Sequence, residues 1–229
     1  MLVGDLVNYI SIAIDGPAGA GKSSISKELA KKLNFIYVDT GAIYRSLAYT
    51  SIKSCYDTKK DYEKIVTLAN NSKIEIKYVD SIQHIYVDGE DVTDFIRTPD
   101  VSKAASDVSA IPGVRKALLS IQRNIANNNN VLMDGRDIGT VVLPHATVKI
   151  FLTASIEERA KRRYKELLEK GVKCDFEIIK SDIAYRDEQD SSRTIAPLKP
   201  AEDSVIFDNS NMTFEESVEC LYKIIKENI

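Results

Sequence analysis

Tryptophan is missing from the 229 residues, histidine occurs only twice and cysteine only three times. Cys55, Cys174 and Cys220 are widely spaced and form no Cys-x-x-Cys pair, which excludes a disulfide framework or a cysteine-built metal site and fits reduced thiols. No apolar run reaches the length needed to cross a bilayer. Residues 1–9 lack the basic region and cleavage pattern of a signal peptide, so a cytoplasmic protein with no membrane partner is expected. Positive charge is not in excess either. The 31 Lys and Arg against 34 Asp and Glu give a net charge of −3, which argues against a nucleic-acid-binding face. There are no internal repeats, and the one biased stretch, Asn127–Asn130, reads as a turn between a helix and a strand. What is left is a chain long enough to bury a substantial core, sized for one α/β domain with insertions or for two small domains.

From Ile10 to Ser24 the pattern changes twice. The apolar, β-branched run Ile10–Ile14 reads as a buried strand. Gly16, Pro17, Ala18, Gly19, Ala20 and Gly21 then break it, and Lys22, Ser23 and Ser24 open a helical pattern whose Ile25, Leu29, Ala30 and Leu33 share a face. Gly16-x-x-x-x-Gly21-Lys22-Ser23 fits the phosphate-loop pattern without a gap, in the strand-then-helix context its mechanism requires. Glycines let the backbone approach a ligand closely. Exposed N–H groups and the positive end of the following helix make an anion cradle. Lys22 is then expected at the β- and γ-phosphates of a nucleotide and Ser23 on Mg²⁺. A chance glycine-rich turn is the bland alternative, and the strand before and helix after count against it.

Later strand ends add polar residues to the same crevice. Phe35–Val38 reads as a second buried strand, followed by Asp39-Thr40-Gly41-Ala42-Ile43-Tyr44-Arg45, in which Asp39 or Thr40 can cap a helix. Ligands of open α/β sheets bind at the carboxyl ends of strands, which makes Arg45 a candidate anion clamp rather than a solvated helix arginine. Val131–Asp134 is a third buried strand, ending in a carboxylate where a phosphate-loop protein holds Mg²⁺ directly or through water. Arg136 and Asp137 follow on a glycine-flanked loop and are candidates for substrate contact, with helix capping plus a surface arginine as the alternative. Val148–Leu152 and Ser204–Asp208 read as the fourth and fifth strands, and Val218, Leu221, Tyr222 and Ile225 mark a closing amphipathic helix. Short apolar strands alternating with helices imply an α/β fold with a doubly wound, five-stranded parallel sheet, and the order 2-3-1-4-5 is expected.

Two segments depart from that alternation. Residues 56–112 contain a helical pattern over Asp61–Asn70, then period-two runs at Ile74–Tyr78 and Gln83–Val87, with turn-like Asp80-Ser81 between them and the strong hairpin signal Asp88-Gly89 after them. An antiparallel hairpin does not belong inside a parallel sheet, so this span reads as an inserted subdomain, and His84 reads as a sheet-face side chain. Helices over Pro99–Ala110 and Pro112–Ile125 follow. Ser106 and Arg115 lie near the junction with the core, where pattern alone does not choose them over Lys103 or Arg123. In residues 155–193, Arg159, Arg162 and Arg163 share a helix face, Gly171 breaks the helix, and Arg186, Asp190 and Arg193 recur at i, i+4, i+7. The pairs Glu157–Lys161 and Glu158–Arg162 would equally suit an ordinary solvated helix. Two arginine-bearing helices poor in core residues read as a mobile lid that excludes water and neutralises phosphate charge.

A regulatory GTPase would carry Asn-Lys-x-Asp after a late strand and Asp-x-x-Gly after the third, and neither is present. A motor or DNA-associated ATPase would have a longer chain or a basic patch. A small-molecule kinase fits best. Taken together, Ile12–Lys22, Asp39–Arg45, Asp134–Val142 and Arg193–Leu198 resemble the bacterial cytidylate kinases, over residues 10–227. The resemblance implies Mg²⁺-dependent phosphorylation of CMP and dCMP by ATP, on a nucleoside monophosphate kinase fold in which residues 56–112 bind the monophosphate and residues 155–193 form the lid. It implies a substrate set of Thr40, Arg45, Ser106, Arg115, Arg136, Asp137, Arg186, Asp190 and Arg193. It also implies an ATP set running from Gly16 to Ser24 with Arg159 and Arg162, catalysis by Lys22, Arg136, Arg186 and Arg193, and metal at Ser23 and Asp134. Thr40 stands where Ser is common and keeps the hydroxyl, whereas Ser191 stands where some members carry Arg. A UMP or AMP kinase and a non-kinase phosphate-loop NTPase are the alternatives. A monomer acting on ATP and CMP or dCMP is expected.

Overall fold

In the computed structural model, which describes residues 9–80, 82–169 and 171–229, the apolar run before the glycine loop forms β1 (Ser11–Asp15). It lies at the centre of a parallel sheet, with β6 (Val131–Gly135) on one side and β7 (Val148–Thr153) on the other. Outside them run β2 (Ile36–Asp39), beside β6, and β8 (Val205–Asp208), beside β7. The order β2-β6-β1-β7-β8 is the 2-3-1-4-5 arrangement of core strands expected from the alternation. Central parallel strands are covered on both faces and so are apolar at nearly every position. Successive residues serve opposite faces. Ile12 and Ile14 pack with Leu132, Ile150 and Leu152 under α1 (Lys22–Leu33) and α8 (Phe214–Lys226). Ala13, Val131 and Met133 meet Ala126 of α5 (Pro112–Ala126) and a π-helical turn, Ile138–Val142, on the other face.

Between α2 (Thr40–Lys53) and α5 the chain forms α3 (Tyr62–Asn71), an antiparallel sheet of β3 (Ile74–Val79), β4 (Ile82–Val87) and β5 (Glu90–Asp91), and α4 (Pro99–Ser109). Asp88 and Gly89 have φ of 51° and 89°, both positive as a type I′ hairpin turn requires. They lead into β5, which is too short to show an alternation in the sequence. Ser81, half of the other expected turn, lies outside the described residues. The apolar residues of this segment, among them Ile65, Ile74, Ile85 and Val108, join Ile43 and Leu47 of α2 and Leu118 of α5 in one cluster.

β2 is an edge strand, and side chains of the antiparallel sheet close it. The Tyr78 hydroxyl donates to the Tyr37 carbonyl at 3.0 Å, and the Gln83 amide accepts from Asp39 N at 2.8 Å and donates to Asp39 O at 3.2 Å. This closure blocks pairing with another chain and fixes the strand end that carries Asp39.

The asparagine run terminates α5: Asn128 and Asn129 donate to carbonyls of its last turn, and the Asn130 side chain accepts from Ile10 N. α6 (Ile156–Glu169) and α7 (Phe176–Ser191) pack on each other through a small cluster, Ala160, Ile179 and Ile183. Because α7 ends at Ser191, Arg193 lies beyond the helix and not on its face as the i+7 spacing suggested. Among the described residues no helix is long and apolar enough to cross a membrane. All three cysteines are free.

Candidate active site

The chain leaves β1 through Gly16, whose φ is 150°; a Cβ there would lie 1.9 Å from the Leu152 carbonyl oxygen, so only glycine lets the loop pass the neighbouring strand. Gly21, in the left-handed region at φ 88°, caps α1. Lys22 opens that helix, 6% exposed, and its Nζ donates to Pro17 O across the loop at 2.7 Å. Burial, and then repulsion from Arg136, hold its pKa well below the usual lysine range. Next to it, Ser23 Oγ donates to Asp134 Oδ2 at 2.7 Å and the Tyr37 hydroxyl donates to Asp134 Oδ1 at 2.9 Å. Burial raises the pKa of Asp134, and the Asp39 carboxylate raises it further, so this strand-end anion would be relieved by a cation.

Opposite the loop, arginines from several segments converge with carboxylates. On α2, Arg45 pairs with Asp39 at 2.7 Å, and Arg97 reaches the same oxygen at 3.1 Å. Burial opposes ionisation of Asp39, but these two guanidinium groups and the Ala42 N–H hold its pKa below the ordinary carboxylate range. Arg115 of α5 pairs with Asp137, donates to Ser109 O at 3.1 Å and lies over the Tyr44 ring. Asp190 of α7 binds Arg136 at 2.7 Å and also Arg193, which donates to Ser109 Oγ at 3.0 Å. Burial would raise Asp190, and Arg136 and Arg193 outweigh it, so the carboxylate is held ionised. Arg186 alone of this group makes no hydrogen bond or ion pair among the described residues. Burial and then Arg136, joined by Arg45 and Arg193, pull its pKa down to about 10 against the opposing Asp190 carboxylate.

The cleft between loop and arginines measures about 660 Å³, within the range of small-ligand sites. Lys22, Ser23, Ser24, Thr40, Arg45, Ser106, Arg115, Asp134, Arg136, Asp137, Arg162, Arg186, Asp190 and Arg193 all line it, with Ala18, Gly19 and Gly21 of the loop. Gly16, Pro17 and Ala20 form the loop's frame outside the lining. Arg159 does not reach the cleft. It is buried, donating to Ala154 O and Ala18 O at 2.9 Å each and pairing with Asp187 at 2.6 Å, while Asp187 accepts from Ala18 N at 3.3 Å. Arg159, expected in the ATP set, thus stands beside the glycine loop rather than in the cleft lining: residues 155–193 and the loop meet at the Ala18 peptide. Arg162 is held by Asn209, at 3.0 Å to Oδ1 and 2.8 Å to the carbonyl. His84 pairs with Asp91 on the antiparallel sheet, as a sheet-face residue would.

Sequence reasoning missed Arg97, Asp187, Gln83 and Asp15 as parts of the site. Arg97 lies in an irregular stretch without periodicity, and Asp187 and Gln83 act through distant backbone. Asp15 was detectable: it ends an apolar strand, as Asp134 does.

A parallel sheet with a glycine loop at the carboxyl end of its central strand, a buried loop lysine and a facing cluster of arginines is the architecture of a phosphate-loop kinase. The cytidylate kinase family model matches residues 12–227, and the chain belongs to that family. It is 50% identical to the cytidylate kinase of Caldicellulosiruptor saccharolyticus, over 96% of this chain and 99% of that one. It is 47% identical to the cytidylate kinase of Enterococcus faecalis, over 95% and 96% respectively. Among solved structures, an uncharacterized protein from Eubacterium ventriosum superimposes with a TM-score of 0.55 at 13% identity, covering 95% of this chain and 98% of that one, a likeness of fold.

Proposed function

We propose that the chain transfers the γ-phosphoryl group of ATP to a phosphate oxygen of CMP or dCMP, giving ADP and CDP or dCDP. The observation that carries this reading is Arg186, a half-buried guanidinium that lines the cleft with Arg45, Arg136 and Arg193 and makes no hydrogen bond or ion pair among the described residues. Such a group is stabilised when a phosphate enters.

The acceptor oxygen is already anionic, so the reaction needs no general base. Positioning and charge stabilisation are what the chain must supply. Backbone N–H groups of residues 19–24 cradle the donor phosphates, and Lys22, released from Pro17 O, follows the transferring group. Arg45, Arg136, Arg186 and Arg193 hold the acceptor phosphate and the developing charge. On the side of the 56–112 insertion, Ser106 and the Arg115–Asp137 pair present donors and an acceptor to a base edge. Residues 155–193 act as the lid, with Arg162 on the donor side, and closure excludes water. All these groups come from one chain, which suits a monomer.

Ser23 and Asp134 suit Mg²⁺. They offer one hydroxyl and one carboxylate, and no group of three or more His, Cys, Asp or Glu among the described residues forms a cage of its own. Mg²⁺ usually keeps several waters and is held by one or two protein groups together with substrate phosphates. An ion held by Ser23 and Asp134 would supply charge neutralisation to the phosphates.

The test is ADP release with CMP, dCMP, UMP, AMP and GMP, with Lys22→Ala as a control that should stay folded and lose turnover by orders of magnitude. CMP and dCMP should show the highest kcat/KM. A preference for UMP or AMP would replace the substrate assignment, and ATP turnover indifferent to every monophosphate would make the chain a non-kinase NTPase.

A further inference from the structure

The π-helical turn Ile138–Val142 starts directly after Arg136 and Asp137. The first N–H groups of any helical turn need acceptors, and an aspartate at the N-cap usually supplies one. Asp137 occupies that position and does not cap; its carboxylate goes to Arg115 instead. The acceptor comes from another strand. Asp15, the last residue of β1, accepts from Ile138 N at 2.8 Å through Oδ1 and from Gly139 N at 2.7 Å through Oδ2. Asp15 is 5% exposed and lies opposite Gly135 in the sheet. It also directly precedes Gly16, the root of the glycine loop. One enclosed carboxylate therefore joins the root of the donor loop to the segment bearing Arg136 and Asp137.

We propose that Asp15 is a positioning residue for the acceptor: by capping the turn from β1 it leaves the Asp137 carboxylate free for Arg115 and fixes Arg136 and Asp137 in the cleft. This rests on the reading of that part of the cleft as the monophosphate site. Burial disfavours the Asp15 anion and Asp137 adds repulsion, with the two N–H groups and Lys22 opposing them. A carboxylate at this place is thus held against an electrostatic cost that an apolar residue would not carry. Asparagine fills the same volume but has a single acceptor oxygen, and its NH₂ would face an N–H.

The experiment compares wild type, Asp15→Asn, Asp137→Asn and the double variant by calorimetric titration with CMP and, separately, ATP. Asp15→Asn should weaken CMP about 10-fold and ATP by no more than about twofold, with the double variant losing less than the sum of the singles. Equal weakening of both nucleotides, or losses that add in full, would overturn the proposal. NMR of wild type should show downfield Ile138 and Gly139 amide protons that move upfield in Asp15→Asn, and unremarkable shifts in wild type would also overturn it. If Asp15→Asn does not fold, Asp15→Glu carries the same comparison; failure of both to fold overturns it, because Asp15 would then hold the sheet together generally. If the substrate panel selects another monophosphate, that nucleotide replaces CMP in the titrations. The functional reading then fails while the positioning role is still decided.

Discussion

Arg186 is a residue that works against the fold carrying it. Its guanidinium is half-buried among other arginines, which the Asp190 carboxylate offsets only in part. Replacing a half-buried charge that its neighbours compensate only in part with an apolar side chain removes a penalty. Arg186→Met should stabilise the nucleotide-free chain by about 1 kcal/mol, or about 2–4 °C in Tm, while lowering phosphoryl transfer about 10²–10³-fold. Thermal scans and turnover assays on the same preparation check both halves, and a variant that loses stability as well as activity would contradict the account. Asp15 gives the pH counterpart. Burial pushes its carboxyl from 3.8 up to about 6. The folded chain then binds a proton that the unfolded chain lacks between those values, so the stability contributed by Asp15 grows as pH falls through this window and is lost as pH rises past about 6. Urea midpoints should therefore show wild type gaining on Asp15→Asn as pH drops from about 7 to about 4.

Among the elements, the antiparallel sheet is hydrogen-bonded to the edge of the parallel one through Tyr78 and Gln83. Gln83 pairs with both backbone groups of Asp39, and Asp39 in turn holds Arg45 and Arg97. Gln83→Ala leaves an edge-strand N–H and C=O without their partners. The expected result is a loss of about 1–2 kcal/mol in stability, with KM for CMP raised several-fold and KM for ATP unchanged. Denaturant unfolding and initial-rate kinetics would show this; equal movement of both KM values would mean that the coupling runs through the whole sheet.

The whole molecule carries a charge of −3, yet Lys22, Arg45, Arg115, Arg136, Arg186 and Arg193 meet in one cleft beside the glycine loop. A single ligand that joins adenosine to cytidine through phosphates satisfies both halves at once and loses its freedom only once. Such a bisubstrate ligand should raise Tm more than ATP and CMP added together at the same concentrations. Differential scanning fluorimetry decides it, and a shift no larger than that from ATP alone would separate the two halves of the cleft.

Much of this architecture was readable in one dimension because its signals are local. The buried run, the glycine break and the helix of β1, loop and α1 are contiguous, and the apolar strands ending in Asp39 and Asp134 announce their own places at the carboxyl edge. An arginine in a sequence shows a charge but not the partner it will find. Thus Arg159 turned to the Ala18 peptide and Asp187, Arg97 joined Arg45 on Asp39, and Asp137 gave up its cap position to pair with Arg115. Asp15 and Gly139 lie 124 residues apart in the chain, a separation over which no periodicity or motif carries information. The sequence by itself determined the phosphate loop, the sheet and which strand ends bear chemistry, since each follows from neighbours along the chain. Only the tertiary structure decided which charges are spent on one another and which, like Arg186, are left for a ligand, since pairing depends on distance through space.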